Sequence, residues 1–200
     1  MECKSGLYLP FIIAIFNIFN NYNMKSIGEK FPDFKKEALV SLEMDKEFKT
    51  LAREDLKGRW TVFFWWPMDF TFVCPTEIVA FNNHFEEFSR RDVNVVGAST
   101  DSHYVHLAWR NGHPGLKGLR FPMLADTSKS LAEDLGILEP HIKVAYRATY
   151  IIDPEGVIQH VSINGLNVGR NVKETLRVLD ALQTGELTPC GWEVGEATLS

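Results

Sequence analysis

Residues 60–74 read WTVFFWWPMDFTFVC, and the change of pattern along this stretch decides the fold. Trp60 to Trp66 is a continuous apolar run rich in β-formers, the signature of a strand buried on both faces. Pro67 opens a loop, PMDFTFV, that runs to residue 73. From Cys74 the pattern turns helical. Pro75 suits the first turn of a helix, because it has no N–H to leave unpaired there. Ile78, Phe81, Phe85 and Phe88 then recur at helical spacing and predict one core-facing stripe. A single cysteine therefore stands where a buried strand hands over to a helix.

Beyond this stretch, residues 93–99 (VNVVGAS) predict a second buried strand and residues 102–111 a helix with Ser102 as its cap. Residues 121–124 predict a short strand, and residues 128–135 a short helix ended by Gly136. Residues 147–153 and 157–163 flank Asp153-Pro154-Glu155-Gly156, a turn signal, and pair as a hairpin. Residues 171–183 place Val172, Leu176, Leu179 and Leu182 on one stripe, and Gly185 stops that helix. Alternating strands and helices with a late hairpin indicate an α/β fold with a mixed central sheet flanked by helices. Residues 24–185 form one domain, and residues 186–200 (ELTPCGWEVGEATLS) form an extended polar C-terminal arm carrying Cys190.

Composition narrows the function classes. Of 200 residues, 45% are hydrophobic and 24% charged, which fits a globular protein with a large core. The net charge of -5 provides no basic stripe for phosphates, so a nucleic-acid partner is not expected. The three cysteines, Cys3, Cys74 and Cys190, are widely spaced and form no CxxC pair, which argues against a zinc ribbon and against a secreted disulfide scaffold. Few scattered cysteines suit a reducing compartment, here the cytoplasm, and no membrane partner is expected.

Residues 1–23 (MECKSGLYLPFIIAIFNIFNNYN) differ in composition from the rest. The apolar run Leu7–Phe19 is shorter than the roughly 20 residues needed to span a bilayer. As a signal peptide it lacks a basic leading segment, Lys4 being offset by Glu2, and it lacks a small-x-small cleavage site. The expectation is that Met24 is the true start, that residues 1–23 are an upstream extension, and that Cys3 is absent from the working protein. A genuine export signal is the alternative, and an intact mass of the native protein separates the two.

A thiol attacks as its thiolate. The start of a helix, with unpaired N–H groups and the positive end of the helix dipole, favours negative charge at Cys74. Arg147, at the start of a predicted strand, is the distal cation that could add to this. The alternative is a buried, inert cysteine. His103, His106 and His113 cluster in sequence without completing a metal-ligand pattern, and read as a solvated face. Trp65 and Trp66 read as core, and Trp109 as packing near the reactive loop.

The motif is more specific than the position. PMDFTFVC, from Pro67 to Cys74, fits the Pro-x-x-x-Thr-x-x-Cys pattern of peroxiredoxins, and DFTFVCPTE resembles the typical two-cysteine group almost letter for letter. RATYIIDPEG from Arg147 resembles the family's arginine-bearing strand, and VGRNVKETLRVLDALQ from Val168 resembles its last helix. The likeness runs from about Lys25 onward and is nearest the alkyl hydroperoxide reductase C branch.

That resemblance implies a thioredoxin-like fold and a peroxidase without cofactor or metal. Cys74 would be the thiolate that attacks the peroxide, Thr71 would offer its hydroxyl, Arg147 would stabilise thiolate and leaving oxygen, and Pro67 would shield the sulfur. Glu77 and Arg170 would orient the arginine, an ordinary surface ion pair being the bland reading. Cys190 would belong to the partner subunit and resolve the sulfenic acid, or else be a spare thiol. Its surroundings, Leu187-Thr188-Pro189-Cys190-Gly191-Trp192, depart from the family's usual Val-Cys-Pro but keep Cys-x-Trp. Residues 112–119 (GHPGLKGL) replace the eukaryotic-type Gly-Gly-Leu-Gly, and no Tyr-Phe helix follows Trp192, which implies resistance to sulfinic inactivation. The implied partners are a second copy in a homodimer, a ring of such dimers, and an electron donor: thioredoxin, a flavoprotein disulfide reductase or a small dithiol adaptor. A holdase chaperone and a peroxide sensor are the competing functions; Cys74→Ser should spare only the first.

Overall fold

A computed structural model of the chain describes residues 24–199. The extension expected at residues 1–23, with Cys3, lies outside the described residues.

Two strands that the sequence pattern did not announce open the domain, β1 (Lys35–Leu39) and β2 (Phe48–Ala52), followed by a 3-10 turn at Arg53–Leu56. β3 (Trp60–Trp65) leads into α1 (Val73–Asn83) and α2 (Phe85–Arg90), then β4 (Val93–Ser99), α3 (His103–Gly112), β5 (Met123–Ala125) and α4 (Ser130–Asp134). The hairpin β6 (Arg147–Ile152) and β7 (Ile158–Asn164) and the helix α5 (Val172–Thr184) complete it. The strands form one seven-stranded sheet in the order β2-β1-β5-β4-β3-β6-β7. β3 pairs parallel with β4 and antiparallel with β6, and β4 pairs parallel with β5. The sheet is therefore mixed, as expected.

β3 alternates between two cores. Phe63 and Trp65 point into a cluster with Phe31, Phe34, Leu131 and Tyr150, while Val62, Phe64 and Trp66 point into one with Cys74, Ile78, Phe81, Trp109 and Leu179. Both faces are closed, which is why the strand reads as an unbroken apolar run. Sheet and helices thus bury the same surface that brings Cys74 inside.

Three boundaries bear on the sequence reading. The single helix expected after Cys74 breaks at His84, whose Nδ1 lies 2.8 Å from the Ala80 carbonyl and whose backbone (φ -95°, ψ 8°) leaves the helical region. Phe81 and Phe88 stay fully buried across the break and Phe85 is half-buried, so the stripe survives a change of helix. The short strand expected at residues 121–124 starts two residues later and ends one later, at Met123–Ala125, because Met123 and Leu124 are the residues that pair with β1. The C-terminal helix ends as expected at Gly185, in the left-handed region at φ 69° where glycine carries no Cβ penalty.

Residues 186–199 leave the sheet domain without being free chain. Trp192 is buried, its indole N–H donates to the Glu196 carbonyl at 3.1 Å, and Arg177 of α5 donates to the Trp192 carbonyl at 3.1 Å. The Leu199 N–H donates back to the Leu187 carbonyl at 2.7 Å. The arm is a small loop pinned to α5 by one tryptophan.

Candidate active site

Cys74 is the second residue of α1 and is 1% exposed. Phe72 caps the helix without any side-chain hydrogen bond, and Pro75 removes one of the donors that a first turn leaves unpaired. The first turn is thus formed by backbone geometry and packing rather than by a cap.

Arg147, the first residue of β6, reaches the sulfur: its Nη1 lies 3.4 Å from Cys74 Sγ. The same nitrogen donates to Glu77 Oε2 at 2.5 Å, and Nε donates to the Leu166 carbonyl at 2.7 Å, so the guanidinium is fixed on two edges. Glu77, one turn beyond Cys74 on α1, presents its other oxygen to Arg170, accepting from the Arg170 backbone N–H at 2.9 Å and from its Nε at 2.8 Å. Arg170 Nη1 donates to the Ala148 carbonyl at 2.7 Å. Its Nη2 has no hydrogen-bond partner, yet the guanidinium lies 5.4 Å from the Phe64 ring centroid and 5.8 Å from that of Phe81, which supplies a cation–π contact in place of a bond.

The charges decide what this cluster favours. Arg147, Glu77 and Arg170 have side chains only 3–4% exposed. Two buried cations and one buried anion leave a surplus of one positive charge beside Cys74. A negative charge at this position would balance it. The surface ion pair considered as the bland reading of Glu77 and Arg170 is thereby excluded. Burial pulls Arg170 below the ordinary guanidinium range, while its contacts to Glu77 oppose that shift.

The remaining expected residues fall around the loop between β3 and α1. Pro67 is buried. Thr71 is half-buried, and its hydroxyl donates to the Met68 carbonyl at 2.9 Å, a bond inside the loop rather than to the sulfur. Trp109 is buried with its ring centroid 5.9 Å from that of Phe70. Cys190 is exposed on the arm and free, so the structure does not bring it to the buried Cys74 within one chain.

One expectation is overturned. His103, His106 and His113 do not make a solvated face: His106 is wholly buried, with Nδ1 2.7 Å from Asp69 Oδ2 and Nε2 3.3 Å from the Leu124 carbonyl. The sequence reading missed Asp69 altogether. Its one clue was a carboxylate placed inside an otherwise aromatic loop. Among the described residues no group of three or more His, Cys, Asp or Glu could hold a metal ion.

Residues 27–161 match the model of the AhpC/TSA family. The chain is 44% identical over 183 residues to alkyl hydroperoxide reductase C of Mycolicibacterium smegmatis, covering 88% of this chain and 93% of the relative. It is 44% identical over 179 residues to a thioredoxin peroxidase of Echinococcus granulosus, covering 86% and 91%. Among solved structures it matches Mycobacterium tuberculosis AhpC with TM-score 0.78 and 43% identity, over 86% of this chain and all of that one. It matches the reduced 2-Cys peroxiredoxin of Plasmodium vivax with TM-score 0.80 and 34% identity, over 86% and 91%.

Proposed function

The chain belongs to the AhpC/TSA family, and on that basis we propose that it is a thiol peroxidase of the two-cysteine type, with a thioredoxin-like fold, that reduces hydrogen peroxide and organic hydroperoxides through Cys74. The observation that carries this reading is Arg147 Nη1 at 3.4 Å from a buried Cys74 Sγ, inside a cluster with one uncompensated positive charge.

The chemistry follows from those positions. The Cys74 thiolate attacks the distal peroxide oxygen; an S–O bond forms, the O–O bond breaks, and the electron pair leaves on the proximal oxygen as alkoxide or hydroxide, which takes up a proton. Cys74 becomes a sulfenic acid. Arg147 stabilises both the attacking sulfur and the oxygen that gains charge. Thr71 lends its hydroxyl to the peroxide once the bond to Met68 is exchanged, and Pro67 keeps bulk water from the sulfur. Glu77 and Arg170 hold Arg147 in line, and Trp109 backs the loop.

Cys190 of the partner subunit then attacks the sulfenic sulfur, water leaves, and a Cys74–Cys190 disulfide forms. Burial of Cys74 requires the first turn of α1 to unwind, which the absence of a side-chain cap makes cheap. The homodimer is supported by β7, an edge strand whose residues 159–164 are half-buried with an unpaired ladder facing outward. A ring of dimers is supported by the exposed apolar side chains of Met68, Phe70, Phe72 and Tyr104. The electron donor is thioredoxin, a flavoprotein disulfide reductase or a small dithiol adaptor, in the cytoplasm. Among the described residues no helix is long and apolar enough to cross a membrane.

The test is NADPH oxidation on addition of peroxide, run with each donor system in turn, beside a non-reducing gel. The wild-type chain should turn over with at least one donor and give a Cys74–Cys190 dimer band after one equivalent of peroxide. Peroxide clearance by Cys74→Ser would overturn the reading; a missing band would remove Cys190 from it.

A further inference from the structure

The loop between β3 and α1 contains a conformation that its own residues do not favour. Phe70 has φ 57°, the left-handed region that an aromatic L-residue rarely enters. Phe70 is 61% exposed, so its own burial does little to hold that backbone. The residue before it is the most heavily anchored in the loop. Asp69 is 4% exposed; Oδ1 accepts from the Trp66 indole N–H at 2.7 Å, Oδ2 meets His106 Nδ1 at 2.7 Å, and its backbone N–H donates to Asp101 Oδ2 at 2.8 Å.

Three further features show that the core is built around this carboxylate. The Leu124 carbonyl only accepts, so His106 Nε2 carries a hydrogen, and Nδ1 is left to face Asp69 across a contact in which the Asp69 and His106 side chains are 1% and 0% exposed. Asp101 is itself fixed, its backbone N–H donating to Ser99 Oγ at 3.0 Å. Gly97 on β4 gives the indole its room: a Cβ there would lie 2.8 Å from Trp66 Cζ3. Trp66 after β3, Asp101 after β4 and His106 of α3, itself held by Leu124 of β5, therefore meet around one loop residue. None of these contacts reaches Cys74, so the network has no part in the chemistry as described.

We propose that Asp69 is a positioning residue: through Trp66, His106 and Asp101 it clamps the loop to the core, keeps Phe70 left-handed, and thereby sets Pro67 and Thr71 against Cys74. This rests on the reading of Cys74 as the peroxide-attacking thiol. A strained backbone persists only where its surroundings over-determine it, and Asp69 is what over-determines Phe70.

The experiment measures two reactions of Cys74 in single turnover, oxidation by hydrogen peroxide and alkylation by iodoacetamide. Alkylation needs only an accessible thiolate, whereas peroxide reduction also needs the oriented loop. Asp69→Ala should slow oxidation about a hundredfold and leave alkylation within about threefold. Asp69→Asn keeps an acceptor for Trp66 and offers an N–H to His106 Nδ1, so both rates should stay within about threefold of wild type. Adding Phe70→Asn to Asp69→Ala should recover part of the lost oxidation rate, because Asn tolerates the left-handed region. Trp66→Phe, which removes one donor and keeps an aromatic core residue, should slow oxidation about tenfold and serves if Asp69→Ala does not fold.

Wild-type oxidation rates in Asp69→Ala or in Trp66→Phe would overturn the clamp. So would equal losses in both reactions with no recovery on Phe70→Asn, the pattern of a purely structural role. If wild-type Cys74 is oxidised no faster than free cysteine, the reading of Cys74 fails and the clamp falls with it; a fast wild type beside an equally fast Asp69→Ala sinks the clamp alone.

Discussion

The two described cysteines sit in opposite settings. Cys74 is 1% exposed and enclosed by Arg147, Glu77 and Arg170, each held by at least two hydrogen bonds. Cys190 is exposed, on an arm whose hold on α5 depends on the burial of Trp192 and a bond from Arg177. The first setting is charged and its arginines are fixed by hydrogen bonds, as the proposed reaction, which develops charge on an oxygen, would require. The second is held by few contacts, as the proposed exchange with a partner's thiol would require. One chain thus divides its stability unevenly between a preorganised pocket and a releasable tail.

The largest expected effect falls on the pocket. Glu77→Gln leaves Arg147 and Arg170 buried side by side without their shared carboxylate, and should cost about 3–5 kcal/mol of stability, read by denaturant unfolding. On the arm, Trp192→Ala should release residues 186–199 with little change in the main unfolding transition. Losing about 3 kcal/mol of local burial should raise proteolytic cleavage after Gly185 about a hundredfold. Single-turnover oxidation of Cys74 should be unchanged, and if it falls, the two regions are not independent.

Arg147→Lys probes the same contrast from the pocket side. It keeps the charge but cannot serve Cys74, Glu77 and the Leu166 carbonyl together. Peroxide reduction should fall about a hundredfold, near 2.7 kcal/mol, with the arm's protease sensitivity unaltered.

The smallest effect concerns pH. His160 on β7 is held below the ordinary imidazole range, chiefly by burial, with Arg177 acting in the same direction and Glu174 against it. As pH falls through the ordinary imidazole value of 6.5, the unfolded chain takes up the proton before the folded one does. Stability is therefore lost on acidification in that window. His160→Gln should flatten this part of a stability–pH profile. Because Arg177 also holds Trp192, arm release should rise over the same range, while the Cys74 pocket should not respond.

Some elements were legible in the sequence and others were not, for physical reasons. The runs at residues 60–66 and 93–99 were legible because a strand buried on both faces needs unbroken apolar residues, and the hairpin of β6 and β7 because Asp153-Pro154-Glu155-Gly156 is turn chemistry. β1 and β2 were not. Their residues KKEAL and FKTLA carry lysines and a glutamate, and they become strands by pairing at the edge of a sheet that the rest of the chain builds. The break at His84 was hidden because the stripe Ile78, Phe81, Phe85 and Phe88 keeps its spacing across it. His106 was misread because a histidine grouped in sequence with His103 and His113 looks solvated until a carboxylate 37 residues earlier is seen to meet it.

Residue order alone specified a central buried strand, a cysteine at a helix start, a loop signature specific enough to indicate its chemistry, and a polar arm bearing a second thiol. These are local: each depends on residue types within a few positions, and local propensity and spacing register them. It took the folded arrangement to establish that Arg147, Glu77 and Arg170 are buried with one positive charge in surplus, that Asp69 is the loop's anchor, and that the arm is pinned by Trp192. Those facts depend on contacts between residues far apart in the chain, whose meeting is set by how the strands order in the sheet.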